Sequence, residues 1–261
     1  MFANEERCIL KKNQLAEVIC QFRFPDILII NSTPPAQFQE MIRSTFPQFS
    51  VRQESTAPKV KNVNGSLQID TPPVTNNYQF STADNIWRVN LTKNFISLCC
   101  SRYNRWEEFA KHFDQVLAAF ITTYSPAYFT RIGLRYMNFI SRKDLNLDSI
   151  PYSELIKPCY LGPLGEHDTI EGNIVRNTVD TQIQLRNGCT LKIHAGPGMI
   201  NRNGVADEEP KFIFDQDLFM SGNIPVQTSA GTLNALHSQA YSVFRGAIED
   251  TLFEAMEPQE I

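Results

Sequence analysis

Arg131, Gly133 and Arg135, in the run FTRIGLRYMNF, alternate with Ile132 and Leu134 and so share one side of an extended segment. Four residues of strand place the two guanidinium-bearing positions roughly 13 Å apart, and the glycine between them leaves a floor on which a ligand could lie. Arginine suits planar anions, because its fork gives two parallel hydrogen bonds to a carboxylate or phosphate. An earlier strand carries Glu17, Gln21 and Arg23 on its free side, and a later hairpin adds Lys192 and His194. Where two such sheet faces adjoin, Arg131, Arg135, Arg23, Gln21, Lys192 and His194 line one polar cleft for an anionic ligand. The competing reading makes the same side chains a solvated sheet face, or ion pairs with Asp and Glu of neighbouring strands.

Other chemistries find less material. His112, His167, His194 and His237 are scattered, with no HExxH, no i, i+4 pair and no adjacent cysteine, so no metal site is expected. His237 lies beside the apolar stripe of the last helix and reads as a hydrogen-bonded packing residue, whereas His112 reads as an exposed helix flank. There is no GxSxG elbow, Walker loop or dinucleotide fingerprint, and GPLG and GPG read as turns, so no cofactor is expected. Asp70, Asp180, Asp215 and Asp217 are scattered carboxylates, none followed by a lysine on a convincing strand pair. Arg102, Tyr103, Arg105 and Trp106 mix base-stacking and phosphate-pairing types, but Trp106 falls on the buried stripe of its helix.

The chain has 261 residues, enough to bury roughly three quarters of its unfolded surface, and its 18 phenylalanines suit a dense core. A net charge of −4 argues against a surface wholly given to nucleic acid. The 6 cysteines form no CxxC pair, and Cys99 and Cys100 would project to opposite faces of a strand, which reads as buried thiols in a reducing cytosol. No stretch approaches the ~18 apolar residues of a membrane span, and MFANEERCILKK has no apolar signal core. The expectation is a cytoplasmic protein without membrane contact.

The elements that must position these residues come in a repeated order. QLAEVICQFRFP alternates as a half-buried strand, and Phe38, Met41, Ile42 and Phe46 recur at helical spacing in AQFQEMIRSTFP. Residues 48–75 read as a loop with one strand at SLQID, after which NYQFST, IWRVNLT and NFISLCCS form an antiparallel meander. Asn104 and Glu107 suit a capping box opening a helix whose Trp106, Phe109, Phe113, Val116, Leu117, Phe120 and Tyr124 share a face, and Pro126 ends it. A strand from Arg131 to Ile140 follows, then a short helix near SELI and a hairpin, VDTQIQLRNGCTLKIHA, whose Asn187-Gly188 suits a type I′ turn. A loop over 196–210, the strand KFIFDQDLF and one long closing helix through Leu233, Leu236, Ala240, Val243, Phe244, Ala247, Leu252 and Met256 complete the chain. Halves 1–125 and 126–261 each read strand, helix, three strands, long helix. The predicted class is α+β, with antiparallel sheets and helices on one face, an internal duplication of that unit, and the halves packed as one compact body.

EVICQFRFP, RYNRWEEF, FTRIGLRYMNF and LHSQAYSVFRGAIEDTLFEAM, spread over about residues 14–256, together resemble a sporadically distributed prokaryotic family catalogued without an assigned activity. The resemblance brings no catalytic residues. It implies a patchy distribution of the kind carried on mobile elements, where defence and toxin–antitoxin functions are common. The expected function is a non-catalytic binding protein, the partner- or ligand-sensing component of a bacterial system, with another protein as the partner and an anionic small molecule or nucleic acid as alternatives. The rivals are an enzyme acting on nucleic acid or nucleotides with arginines holding phosphate, and a structural homo-oligomer built through exposed sheet edges.

Overall fold

The structure, a computed structural model, describes residues 2–3, 6–54, 59–63, 66–70, 74–166, 171–202 and 205–260. The first half contributes β1 (Ile9–Leu10), β2 (Leu15–Arg23), α1 (Leu28–Ser32), α2 (Ala36–Ile42), β3 (Gln48–Glu54), β4 (Lys59–Val63), β5 (Ser66–Asp70), β6 (Thr75–Ser81), β7 (Trp87–Leu91), β8 (Phe95–Cys100) and α3 (Trp106–Tyr124). The second contributes β9 (Phe129–Ile140), β10 (Val179–Gln184), β11 (Thr190–Gly198), β12 (Asn201–Arg202), β13 (Val205–Ala206), β14 (Lys211–Ile224), α4 (Ser229–Arg245), α5 (Asp250–Ala255) and β15 (Pro258–Gln259). One nine-stranded sheet in the order β10-β11-β14-β9-β2-β8-β7-β6-β3 runs through both halves, and every pairing in it is antiparallel. The class is α+β.

Period-two alternation along the central strands gives the sheet one apolar face. Val18, Cys20 and Phe22 of β2 lie in register with Leu98 and Ile96 of β8 and with Tyr136, Leu134 and Ile132 of β9, and all are buried. The helices cover this face: Phe113 of α3 packs 4.9 Å from Phe22, Phe120 4.6 Å from Phe24, and Phe244 of α4 6.1 Å from Phe214. Turns at Tyr152–Glu154 and Pro158–Tyr160 extend the cover, placing Tyr152 on Phe212 and Tyr160 on Phe214.

β2 and β9 are the central pair, and the neighbour order is the same on each side: β8, β7, β6 beyond β2, and β14, β11, β10 beyond β9. The first half adds β3 at its edge and has α2 where the second has only 3₁₀ turns. Between the halves, α3 stops at Ser125, whose left-handed backbone (φ 44°) lets its N–H bond Ile121 O at 2.9 Å.

Several local expectations are corrected. Arg105, not Asn104, is the N-cap of α3, and no side chain caps it; Glu107 bonds Arg105 and Arg7 instead of the helix end. The closing helix is broken, because Ile248 leaves helical conformation to bridge Ile156, and Glu249 N–H bonds Leu155 O at 2.9 Å. At Asn187-Gly188 only the glycine takes positive φ (84°), and Leu185 N–H bonds Cys189 O across a three-residue loop, so a glycine bulge replaces the type I′ turn. Near SELI the chain forms a 3₁₀ turn. The 48–75 stretch holds, besides the expected strand at SLQID (β5), an exposed edge strand, β3, and β4 paired with β5, while the end of β11 and the β12–β13 pair take up part of the loop read at 196–210.

Phe22 is the center of the aromatic packing, with both Phe113 and Phe129 at 4.9 Å. Phe22→Ala is expected to cost about 3–5 kcal/mol, measured by urea unfolding. A loss under 1 kcal/mol, roughly the cost of a surface change, would show that this cluster does not hold α3 to the sheet.

Candidate functional site

Directly paired residues of an antiparallel sheet point the same way, so the register assigns the face opposite the helices. One transverse row is Gln182, Lys192, Asp217, Arg135 and Ile19; the next is Asp180, His194, Asp215 and Met137. On the other side of the first row stand Thr190, Phe219, Gly133, Gln21 and Ser97, and then Ser221, Arg131 and Arg23. All six residues singled out from the sequence therefore lie on one face of one sheet. Arg135, Lys192 and His194 border an open depression of about 480 Å³, shared with Asp180, Asp215 and Asp217. Gln21 and Arg23 stand to one side of it, joined by an Arg23 Nε to Gln21 Oε1 hydrogen bond of 2.9 Å.

The arginines on this face are already partnered. Arg131 Nη2 donates to both carboxylate oxygens of Asp217 at 2.8 Å, and Arg135 grips Asp215 through Nε (2.7 Å) and Nη2. To reach Asp217 the Arg131 side chain folds across Gly133 and lies 4.3 Å from the centroid of the Phe219 ring. The glycine floor read from the sequence is thus occupied by the guanidinium beside it. Lys192 Nζ stands 5.6 Å from the same ring, and His194 Nδ1 lies 2.7 Å from Asp180. Farther along, Arg88 pairs with Glu17 at 3.3 Å, and Gln79, Asn90 and Ser97 form a buried ladder with bonds of 3.0 and 3.1 Å.

Asp215 and Asp217 matter more to this face than their reading as scattered carboxylates allowed. Their signal was present in KFIFDQDLF, where they alternate with Phe212, Phe214 and Leu218 and must face away from the core. A Cβ at Gly133 would stand 2.7 Å from the Arg131 guanidinium carbon. Gly133→Ala should therefore push Arg131 off Asp217 and cost about 1–2 kcal/mol, but much less in an Arg131→Ala background. A double-mutant cycle by urea denaturation checks this, and strictly additive costs would refute the contact.

On the helix side a second feature was missed. A cavity of about 90 Å³ opens between the N-terminal segment, the start of α3, α4 and the core faces of β9 and β14. His237, 9% exposed, stacks on Trp106 with centroids 4.1 Å apart, and its Nδ1 lies 2.8 Å from the Tyr136 hydroxyl. Among the described residues its Nε2 has no partner, nor has Oε1 of Gln216, which is 2% exposed. The sequence reading of His237 as a hydrogen-bonded packing residue described only one of its nitrogens. His112 is half-buried rather than a free flank, its ring 4.5 Å from that of Trp87, and His167 lies outside the described residues.

Burial pushes the His237 imidazole from 6.5 down to about 4, helped by the nearby Arg7 charge. Between those values the unfolded chain binds a proton that the folded chain does not. This contribution is therefore complete above about pH 6.5 and is lost as the pH falls toward 4, by ~3 kcal/mol in all. Wild type should lose more stability between neutral and mildly acidic pH than His237→Gln does, compared by urea midpoints. Equal losses would show that the histidine is not held neutral by the fold.

Among the described residues no group of three or more His, Cys, Asp or Glu side chains could hold a metal ion, and no helix is long and apolar enough to cross a membrane. No family model matches the chain, and no curated protein matches it.

Proposed function

We propose that this protein acts by binding, and that the uncovered face of its nine-stranded sheet receives another protein. The observation that carries this reading is the alternation of sign across adjacent strands, Lys192, Asp217 and Arg135 in one row with His194 and Asp215 in the next. Arg131 and Arg135 are each fixed on a carboxylate before any partner arrives. A field of fixed, mutually neutralised charges attracts a polyanion weakly, but it sets register against a surface of complementary pattern. Half-buried Ile19, Met137, Phe95 and Phe219 stand among the charges, and that mixture of aromatic, aliphatic and arginine side chains is typical of protein interfaces.

The alternative, arginines holding the phosphates of a nucleotide or nucleic acid, would require Arg131 and Arg135 to exchange Asp217 and Asp215 for the ligand. The resemblance to a sporadically distributed prokaryotic family supports a bacterial setting for the partner, with defence or toxin–antitoxin systems as the context that resemblance implies.

The test begins with the partner isolated by cross-linking from the open face and then purified. Lys192→Glu is expected to weaken the reconstituted complex at least about tenfold, roughly 1.4 kcal/mol, whereas Arg43→Glu at the exposed C-cap of α2 leaves it intact. Equal binding by both variants would remove the open face from the interaction. Saturable binding of nucleotide or single-stranded DNA that Arg135→Ala abolishes would favor the phosphate reading instead.

A further inference from the structure

Among the described residues, the fully buried side-chain amides on the core face of the sheet, Asn138 and Gln216, lie close together. Tyr136, Asn138 and Gln216 occupy positions of β9 and β14 whose neighbors are Leu134, Ile140, Phe214 and Leu218, and His237 descends onto them from α4. Asn138 is satisfied in part, donating from Nδ2 to Phe214 O at 3.2 Å. Gln216 Oε1 and His237 Nε2 are left bare, although both residues line the same 90 Å³ cavity. Leaving one buried polar atom without a partner costs about 1–3 kcal/mol, and native proteins rarely leave two together. An apolar residue at either position would avoid that cost.

The surroundings are those of a site. Tyr103 and Tyr136 stand edge to face, 5.8 Å apart, on one side of the cavity, and Trp106 backs His237 on another. The register of β2 on β9 slips between Leu15 and Glu17 beside the cavity, a bulge of the kind that re-aims strands next to binding sites. The N-terminal segment crosses the opening, held to α4 by a hydrogen bond of 3.1 Å from the Tyr241 hydroxyl to Glu6 O and by Cys8 Sγ at 3.4 Å from the same hydroxyl.

We infer that this cavity binds a small neutral molecule, or the neutral head of a larger one, that carries a carboxamide-type group offering a hydrogen-bond donor to Gln216 Oε1 and a second polar atom to His237 Nε2. Gln216 Oε1 can only accept, so the ligand must bring a donor there. His237 Nε2 matches either kind of group, according to which ring nitrogen holds the proton. An amide supplies both functions from one planar unit. Formal charge inside is disfavored, because the lining tyrosines Tyr103 and Tyr136 are neutral phenols and the guanidinium groups of Arg7 and Arg105 are both paired with Glu107. The volume sets the size: it falls short of the roughly 150 Å³ that holds a benzene ring, so the interior takes a headgroup and anything larger extends past the N-terminal segment. This site is on the opposite side of the sheet from the proposed partner surface and stands independently of it.

The experiment titrates the full chain with acetamide, benzamide and the charged analogues of acetamide, namely acetate and acetamidinium, and follows the Trp106 indole N–H by NMR. Saturable shifts at about millimolar acetamide are expected, with tighter binding of benzamide and binding of both ions weaker by about tenfold or more. Gln216→Met keeps the side-chain length but removes the acceptor. It should lose at least about tenfold in amide affinity while its unfolding midpoint stays level or rises, as removal of an unpaired buried acceptor predicts. The inference is overturned if neither amide gives a saturable shift, which would leave the cavity to water alone. It is equally overturned if acetate or acetamidinium binds as well as acetamide, or if Gln216→Met binds the amides as wild type does. The comparison of neutral and charged probes on wild type decides the matter even if Gln216→Met does not fold.

Discussion

The antiparallel pairing of β2 with β9 is the constraint from which the other features follow. It joins strands drawn from the two halves of the chain, and its register puts Cys20 beside Leu134 and Phe22 beside Ile132 on one side, Gln21 beside Gly133 and Arg23 beside Arg131 on the other. A slip of one residue would turn one strand's apolar set toward solvent, so the packing of Phe22 against Phe113 and Phe129 holds the register. With that pair fixed, β8 and β14 add to its outer edges, and a single sheet with two chemically distinct faces results.

The two faces treat polar groups differently. On the open side charges can remain half-solvated, and Arg131 and Arg135 each find a carboxylate one strand away, so polar side chains there are inexpensive to keep. On the core side the same strands carry Tyr136, Asn138 and Gln216 among phenylalanines and leucines, where a polar atom needs a specific partner. Equal numbers of polar residues on the two sides would therefore not carry equal information. A paired aspartate on the open face needs no ligand to explain it, while a bare glutamine oxygen at the core does.

Much of the fold was legible because burial on one side imposes a period. The alternation in QLAEVICQFRFP, the meander and the apolar stripe of α3 all follow from a face pressed against the core, and the hairpin read in VDTQIQLRNGCTLKIHA is the antiparallel pair β10–β11. β3 was missed for the converse reason: every residue from Gln48 to Glu54 is exposed at the sheet edge, so no burial difference marks its strand period. The break at Gly246–Glu249 was hidden because the apolar spacing continues across it while the backbone does not. At the open face the sequence placed all six residues on the correct side but did not show that Arg131 spans Gly133, since which aspartate faces which arginine depends on strand neighbors 80 and 86 residues away. The helix-side cavity was less legible still. It is assembled from the N-terminal segment, α3, β9, β14 and α4, and nothing local to Gln216 or His237 foretells that they meet.

The central place of β2 also bears on how the chain comes together. During synthesis β2 emerges early and can pair with β8 once residue 100 is available, but its other edge stays open until β9 has been made. For that interval the first half presents a bare strand edge beside a partly built apolar face, the kind of surface that pairs with other chains. Contacts this far apart in sequence carry a large loop-closure cost before they return any stability. The chain should consequently fold slowly and as one cooperative unit, and a fragment ending at Ser125 would be an aggregating species rather than a small stable domain.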